Sequence, residues 1–300
     1  MCLYFGAKSL VDGSSAVALK FGVQKMIVGM TVVALGTSMP EFVVSLFGVL
    51  KESDSVSVGN IVGSNVANLL LVLGASALFQ PLCADKRAFK LDLPFVMIVI
   101  AFFIAFCFNG VLSRIEGIFL LTLFIAYMIF LSKNKRVEDY KKEVNTSDRE
   151  HLLKNAFLTI LGIGGLVLGG NLTVKGGIML AHVLGLSELT IGLSVIAVGT
   201  SLPELFTSLV AAVKSEHDIS VGNVIGSNLF NTAFVLGVVP IISSITIDSR
   251  VISFENWFMA GAHILLLLVL LTRKRIDRKA GVLFLLLYAF FIVNLRLQFI

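Results

Sequence analysis

The chain has 300 residues, 57% of them hydrophobic and only 14% charged, with a net charge of +5. Soluble domains carry about 25% charged residues, so this composition excludes an ordinary water-facing globule and points to a surface that meets lipid. The basic excess does not indicate nucleic-acid binding, because it is concentrated in one set of loops.

Ten apolar segments follow one another: 1–19, 26–50, 57–80, 93–112, 115–132, 152–182, 189–213, 220–244, 253–272 and 279–297. Spans of about 20 residues cross a bilayer, and no barrel-type alternation appears, so these read as helices. The first segment has no basic leader or cleavage site ahead of it and reads as a span rather than a signal peptide. With the N-terminus outside, the inner loops hold eighteen Lys and Arg and the outer loops four. That bias predicts both termini outside. Cys2, Cys83 and Cys107 lack metal-ligand spacing and read as small buried hydrophobes.

The second span contains "ALGTSMPE", Ala34 to Glu41, with Glu41 its only charge between Met26 and Leu50. The seventh contains "AVGTSLPE", Ala197 to Glu204. Residues 26–74 and 189–237 align without a gap at an offset of 163, with 22 of 49 identical. The identities fall on Gly, Thr, Ser, Pro, Glu and Asn, which chance similarity between apolar helices would not produce. The chain is therefore read as a duplication: a first repeat over 1–132, a cytoplasmic linker over 133–151 and a second repeat over 152–300. Five spans per repeat make the copies inverted, an arrangement that puts a transporter's site at the midplane between them. By the same alignment the first helix lacks about eleven residues present in the sixth. A start upstream of Met1 is the favoured explanation, a shortened first helix the other.

An acidic residue at helix centre costs roughly 2.5–3.5 kcal/mol on insertion scales. Carrying that cost twice, at matched positions, argues for function rather than a protonated, merely hydrogen-bonded glutamate. Pro40 and Pro203 should disturb the carbonyls of Gly36 and Gly199, kinking the helix and freeing backbone oxygens beside a carboxylate. In "GNIVGSNVAN" and "GNVIGSNLFN", Asn60, Ser64 and Asn68, and Asn223, Ser227 and Asn231, recur every four residues and share a face. Gly59/Gly63 and Gly222/Gly226 are small-xxx-small pairs that permit close helix contact. The oxygen-only pocket suits Ca²⁺, Mg²⁺ or alkali ions, whereas zinc and copper prefer nitrogen or sulfur. Two carboxylates match one Ca²⁺ or a small set of Na⁺, but not both loads at once.

Other polar residues read more blandly. Asn60 and Asn223 stand equally well as residues that only cap or glue helices or as part of the pocket, and Asn65 and Asn228 read as packing or interhelical bonds. Asp12 and Lys175 read as snorkelling residues. His151, His182, His217 and His263 form no cluster and receive no role. "GIGGLVLGG" (162–170) lacks the strand that a nucleotide loop needs and reads as helix packing.

The paired motifs resemble the α-repeats of the calcium/cation antiporter superfamily, the sodium/calcium exchangers, most closely the prokaryotic branch. The resemblance covers nearly the whole chain. It implies an all-α polytopic membrane protein of ten transmembrane helices in two inverted five-helix repeats, not an enzyme. It further implies a place in a prokaryotic inner or plasma membrane, no cofactor, nucleic acid or obligatory protein partner, and Ca²⁺ and Na⁺ as transported ions, with H⁺ or K⁺ as further candidates. Carried over residue by residue, it implies Glu41 and Glu204 as acidic ligands. Thr37, Ser38, Thr200 and Ser201 follow as hydroxyl or carbonyl ligands, Ala34 and Ala197 as carbonyl donors of electron pairs, and Ser64, Ser227, Asn68 and Asn231 as further ligands. Asn231 departs from the common pattern, where Asp often stands, and lowers the site charge by one. Na⁺-driven exchange leads among the possible activities, ahead of H⁺-coupled exchange and a passive cation channel.

Overall fold

A computed structural model of the chain describes residues 1–133, 148–183 and 191–297. They form α1 (Cys2–Phe21), α2 (Lys25–Thr37), α3 (Met39–Leu50), α4 (Asp54–Phe79), α5 (Ala88–Cys107), α6 (Arg114–Lys133), α7 (Asp148–Val183), α8 (191–200), α9 (Leu202–Val213), α10 (His217–Ile242), α11 (Val251–Arg273) and α12 (Arg278–Leu297). Helices satisfy every backbone polar group internally, which lipid demands. Among the described residues six of them, α4, α5, α6, α10, α11 and α12, are long and apolar enough to cross a membrane. The pair α2 and α3 makes a seventh candidate, bent by 44°. The linker expected over 133–151 falls mainly outside the described residues, and α7 begins within its last four positions.

Burial sorts the helices. The most apolar stretches of α4 and α10 are 83% and 78% buried, whereas that of α6 is only 22% buried. The outer face of α6 leaves Ile115, Ile118 and Ile125 exposed, as a lipid-facing helix should. The Asn/Ser-faced helices are thus the centre, and the more apolar ones wrap them. The expected close approach is present on α10: a Cβ added at Gly222 would lie 2.7 Å from the Met26 carbonyl oxygen. Six π-turns interrupt the helices, at Gly29–Val33, Asn68–Val72, Ala88–Asp92, Ile191–Ile196, Phe230–Val235 and Val251–Glu255. They form three pairs at close to the 163-residue offset, so the duplication extends to these local irregularities, which often accompany functional sites.

α1 and α7 lie backbone to backbone. A Cβ at Gly6 would sit 2.8 Å from the Gly162 carbonyl oxygen, and one at Gly162 2.7 Å from that of Gly6. Gly170 faces Pro203. The glycine run 162–170 therefore packs helices, as read from the sequence. At one end of α1, Lys25 and Ser15 both donate to Glu216, the lysine at 2.8 Å and the serine at 2.9 Å, and Asp12 pairs with Lys214. Asp12 is thus an ion-pair partner rather than a snorkelling group.

Two further expectations are corrected. Cys2 and Cys83 are exposed and only Cys107 is buried, because the first two sit where the chain enters a helix or a loop ladder at the periphery. Short strands also exist beside the helices. β1 (Leu82–Cys83) pairs with β4 (Arg275–Ile276), and β2 (Val111–Leu112) with β3 (Ile245–Thr246), both antiparallel. Two residues cannot show a period of two, so neither ladder was visible in the sequence. Each ties a loop of the first half to a loop of the second.

Candidate cation site

The site is built where two helices break. α2 ends at Thr37 and α3 restarts at Met39, with Ser38 at φ −88°, ψ 7° between them. α8 ends at Thr200 and α9 restarts at Leu202, with Ser201 at φ −80°, ψ 2°. Pro40 and Pro203 each occupy the first turn of the restarted helix, where the missing N–H has no partner to lose. The bend that the sequence suggested is present between α2 and α3, but it falls at the serine, and the proline is the start signal of the next helix. The restart puts Glu41 and Glu204 in the first turn of a helix. There the positive end of the dipole favours a negative side chain.

A mesh of neutral bonds locks the two broken helices against α4 and α10. Thr37 Oγ1 donates to Asn223 Oδ1 and Thr200 Oγ1 to Asn60 Oδ1, both at 3.1 Å. Behind them, Asn60 Nδ2 donates to Ser45 Oγ at 3.0 Å and Asn223 Nδ2 to Ser208 Oγ at 3.1 Å. Ser45 and Ser208 in turn donate to the backbone carbonyls of Ser57 and Ser220. Every bond in this mesh recurs at the 163-residue offset. Asn60 and Asn223 are thus interhelical glue rather than caps: each holds the threonine contributed by the other half. The periodicity that put them on the Ser/Asn face was the available signal.

The carboxylates sit inside that mesh. Ser38 Oγ donates to Glu204 Oε1 at 2.7 Å, and Ser227 Oγ to the same oxygen at 3.2 Å. Ser64 Oγ lies 3.2 Å from Thr200 Oγ1 and donates to the Ala197 carbonyl at 3.4 Å. Glu41 lies beside Thr200, Ser201 and Glu204, yet neither of its carboxylate oxygens has a hydrogen-bond partner. Glu204 Oε2, Ser201 Oγ, Asn68 Oδ1 and Asn231 Oδ1 are likewise buried and unpartnered. Buried polar atoms are almost always paired. Here six oxygens on four neighbouring helices lack a partner at hydrogen-bond distance, although the Thr200 and Ser201 hydroxyls stand beside Glu41.

All twelve residues expected at the site are buried. Hydrogen bonds join Ser38 and Ser227 to Glu204 and Ser64 to Thr200, while Thr37 is held by Asn223, and Asn68 and Asn231 lie one turn beyond Ser64 and Ser227 on the same faces. The carbonyls of Ala34 and Ala197 each already accept a backbone N–H, from Ser38 at 2.9 Å and Ser201 at 3.0 Å. The break does not free these two: the Ala197 carbonyl also meets Ser64 Oγ at 3.4 Å and Thr200 Oγ1 at 3.3 Å, and the Ala34 carbonyl meets Thr37 Oγ1 at 3.3 Å. Among the described residues no three His, Cys, Asp or Glu side chains gather, so the pocket is two carboxylates among neutral oxygens.

The family model described as sodium/calcium exchanger protein matches residues 1–133 and 154–296. This chain belongs to the sodium/calcium exchanger family. Within it, the chain is 35% identical to inner membrane protein YrbG of Escherichia coli, over 83% of this chain and 74% of the relative. It is 36% identical to a membrane protein of Methanocaldococcus jannaschii, over 98% of this chain and 95% of the relative. The sodium/calcium exchanger MaX1 of Methanosarcina acetivorans is 29% identical over 97% and 94%. In three dimensions the chain superposes on the sodium-calcium exchanger NCX_Mj soaked with 2.5 mM Na⁺ and 0.1 mM Ca²⁺, with a TM-score of 0.83 at 32% identity. That match covers 97% of this chain and 94% of the exchanger. The protein is therefore an integral membrane transporter of the exchanger type.

Proposed function

We propose that this exchanger-family protein moves Ca²⁺ across the membrane in antiport with Na⁺, by alternating access, with Glu41 and Glu204 as the charged ligands. The observation that carries the reading is the set of six buried, unpartnered oxygens: both of Glu41, Oε2 of Glu204, Oγ of Ser201 and Oδ1 of Asn68 and Asn231. Leaving a buried polar group unpaired costs roughly 1–3 kcal/mol, more for a charged one. A cation removes that cost for all of them together. Ca²⁺ takes 6–8 oxygens, and the charge of −2 on two carboxylates balances it. Two Na⁺ satisfy the same balance, but both loads together leave uncompensated positive charge. One unit charge beside another at about 4 Å costs about 4 kcal/mol at an effective dielectric of 20. That mutual exclusion is the physical basis of exchange.

The architecture that goes with this is ten spans in two inverted repeats, with both termini outside and Thr37, Ser38, Thr200, Ser64, Ser227 and the Ala34 and Ala197 carbonyls around the ions. The paired π-turns and the paired hydrogen bonds at the 163-residue offset support it, as does the likeness to NCX_Mj. α1 and α7, joined by the Gly6–Gly162 seam, then form the pair that moves against the core. Purified protein in vesicles should take up ⁴⁵Ca²⁺ when the lumen holds Na⁺ and not when it holds K⁺ or choline. Uptake driven equally well by a pH gradient in Na⁺-free buffer would replace Na⁺ by H⁺ in this scheme. Uptake with no counter-ion at all would make it a passive channel.

A further inference from the structure

The orientation of the two pocket amides is set from outside the pocket. Asn68 Nδ2 donates to Asn228 Oδ1 at 3.0 Å, and Asn231 Nδ2 donates to Asn65 Oδ1 at 3.2 Å. With each amide nitrogen engaged, the oxygen that remains unpartnered is Oδ1 of Asn68 and of Asn231. A reversed amide would instead point an N–H at the cation. Asn65 and Asn228 thus act on the residue of the other half, again at the 163-residue offset.

What holds these two asparagines differs between the halves. Asn228 Nδ2 donates to the Asn65 carbonyl at 3.2 Å and meets His263 Nε2 at 3.0 Å. His263 Nδ1 lies 2.8 Å from the Met259 carbonyl. A carbonyl only accepts, so Nδ1 carries the hydrogen, and the neutral ring leaves Nε2 bare to accept from Asn228. On the other side Asn65 Nδ2 donates to Thr232 Oγ1 at 2.8 Å and to Met259 Sδ at 3.5 Å. One turn of α11, Met259 to His263, therefore stands behind both asparagines. The position matching His263 in the first half is Ile100, so this histidine has no copy.

We propose that Asn65 and Asn228 are positioning residues for the cation pocket, each turning the other half's amide so that its oxygen faces the ion, and that His263 holds Asn228 in that orientation as an acceptor. The inference rests on the cation-antiport reading of the same pocket. In Asn228→Leu, Asn68 loses the acceptor that orients it, and in His263→Leu, Asn228 loses one of two. In His263→Gln the side-chain oxygen can still accept from Asn228.

The test compares the KM for Ca²⁺ with kcat, using ⁴⁵Ca²⁺ uptake into Na⁺-loaded vesicles, together with Tm in detergent. Asn228→Leu should raise the Ca²⁺ KM roughly tenfold, the equivalent of one well-placed hydrogen bond. His263→Leu should raise it by a smaller factor, about threefold, and His263→Gln should restore it to within about twofold of wild type. A merely structural role would lower Tm and the amount of active protein while leaving KM alone, and that result in both leucine variants would overturn the proposal. If Asn228→Leu does not fold, the Leu and Gln variants at His263 decide alone: equal KM values for the two refute it. Failure of the antiport reading is separately visible, because the wild-type protein would then show no Na⁺-driven Ca²⁺ uptake.

Discussion

Glu41→Gln and Glu204→Gln should each lower Na⁺-driven Ca²⁺ uptake by on the order of a hundredfold or more. Either change takes the site from −2 to −1 and leaves a divalent ion one charge short. At an effective dielectric of 20, one lost unit-charge interaction at about 4 Å is worth about 4 kcal/mol, which is nearly three decades in affinity. The two variants should differ in a second respect. Glu204 Oε1 already accepts from Ser38 and Ser227, so a glutamine there disturbs an existing pair of bonds. Glu41 has only the Thr200 and Ser201 hydroxyls beside it and no bond as close as those on Glu204, so its replacement disturbs fewer existing bonds. Added Ca²⁺ at about 100 times Kd should stabilise the wild-type protein by about 2.7 kcal/mol, seen as a rise in Tm. Glu41→Gln should keep its ion-free Tm and lose that rise. Full uptake in both variants would sink the assignment of these carboxylates.

The pocket was legible because it is written twice. A lone glutamate in an apolar helix has a bland explanation. Its copy at an offset of 163, with the same Gly, Thr, Ser and Pro before it, does not. The four-residue recurrence of Asn60, Ser64 and Asn68 revealed a shared face, and that face is turned inward in α4. Periodicity names a face but not what the face meets. It could not show that Asn60 holds Thr200, or that the break falls at Ser38 while Pro40 starts the next helix. Nor could it orient an amide, because the choice between Oδ1 and Nδ2 depends on donors from distant chain positions such as Asn228 and His263. Single histidines among leucines carry no sequence signal, and His263 became readable only once its two ring nitrogens had partners. The buried Asp92, bonded to Arg87 and Tyr127, escaped for the same reason: one partner stands just before the π-turn that Asp92 ends, the other on α6.

Gly226→Ala should abolish uptake by preventing the core from closing, although alanine is ordinarily the better helix former by about 1 kcal/mol. A Cβ at this position would lie 2.5 Å from both the Cα and the carbonyl oxygen of Met30 and 2.8 Å from the Ala34 Cβ. Two of these three are backbone atoms, which no rotamer change can move. Overpacking a core typically costs 1–3 kcal/mol, and here the displaced element is α2, which carries Ala34 and Thr37 into the pocket. The neighbouring Ser227 would move with Gly226 and lose its 3.2 Å bond to Glu204. Gly164→Ala is the matched control, since a Cβ there meets nothing within 4 Å. It should raise Tm slightly through helix propensity and leave uptake intact. Size-exclusion profiles and Tm values of the two alanine variants, read beside ⁴⁵Ca²⁺ uptake, separate the cases. A Gly226→Ala protein that runs as a sharp peak with wild-type uptake would mean that α2 leaves room for a Cβ at Gly226, and the mesh joining Thr37 to Asn223 would then need a different geometry.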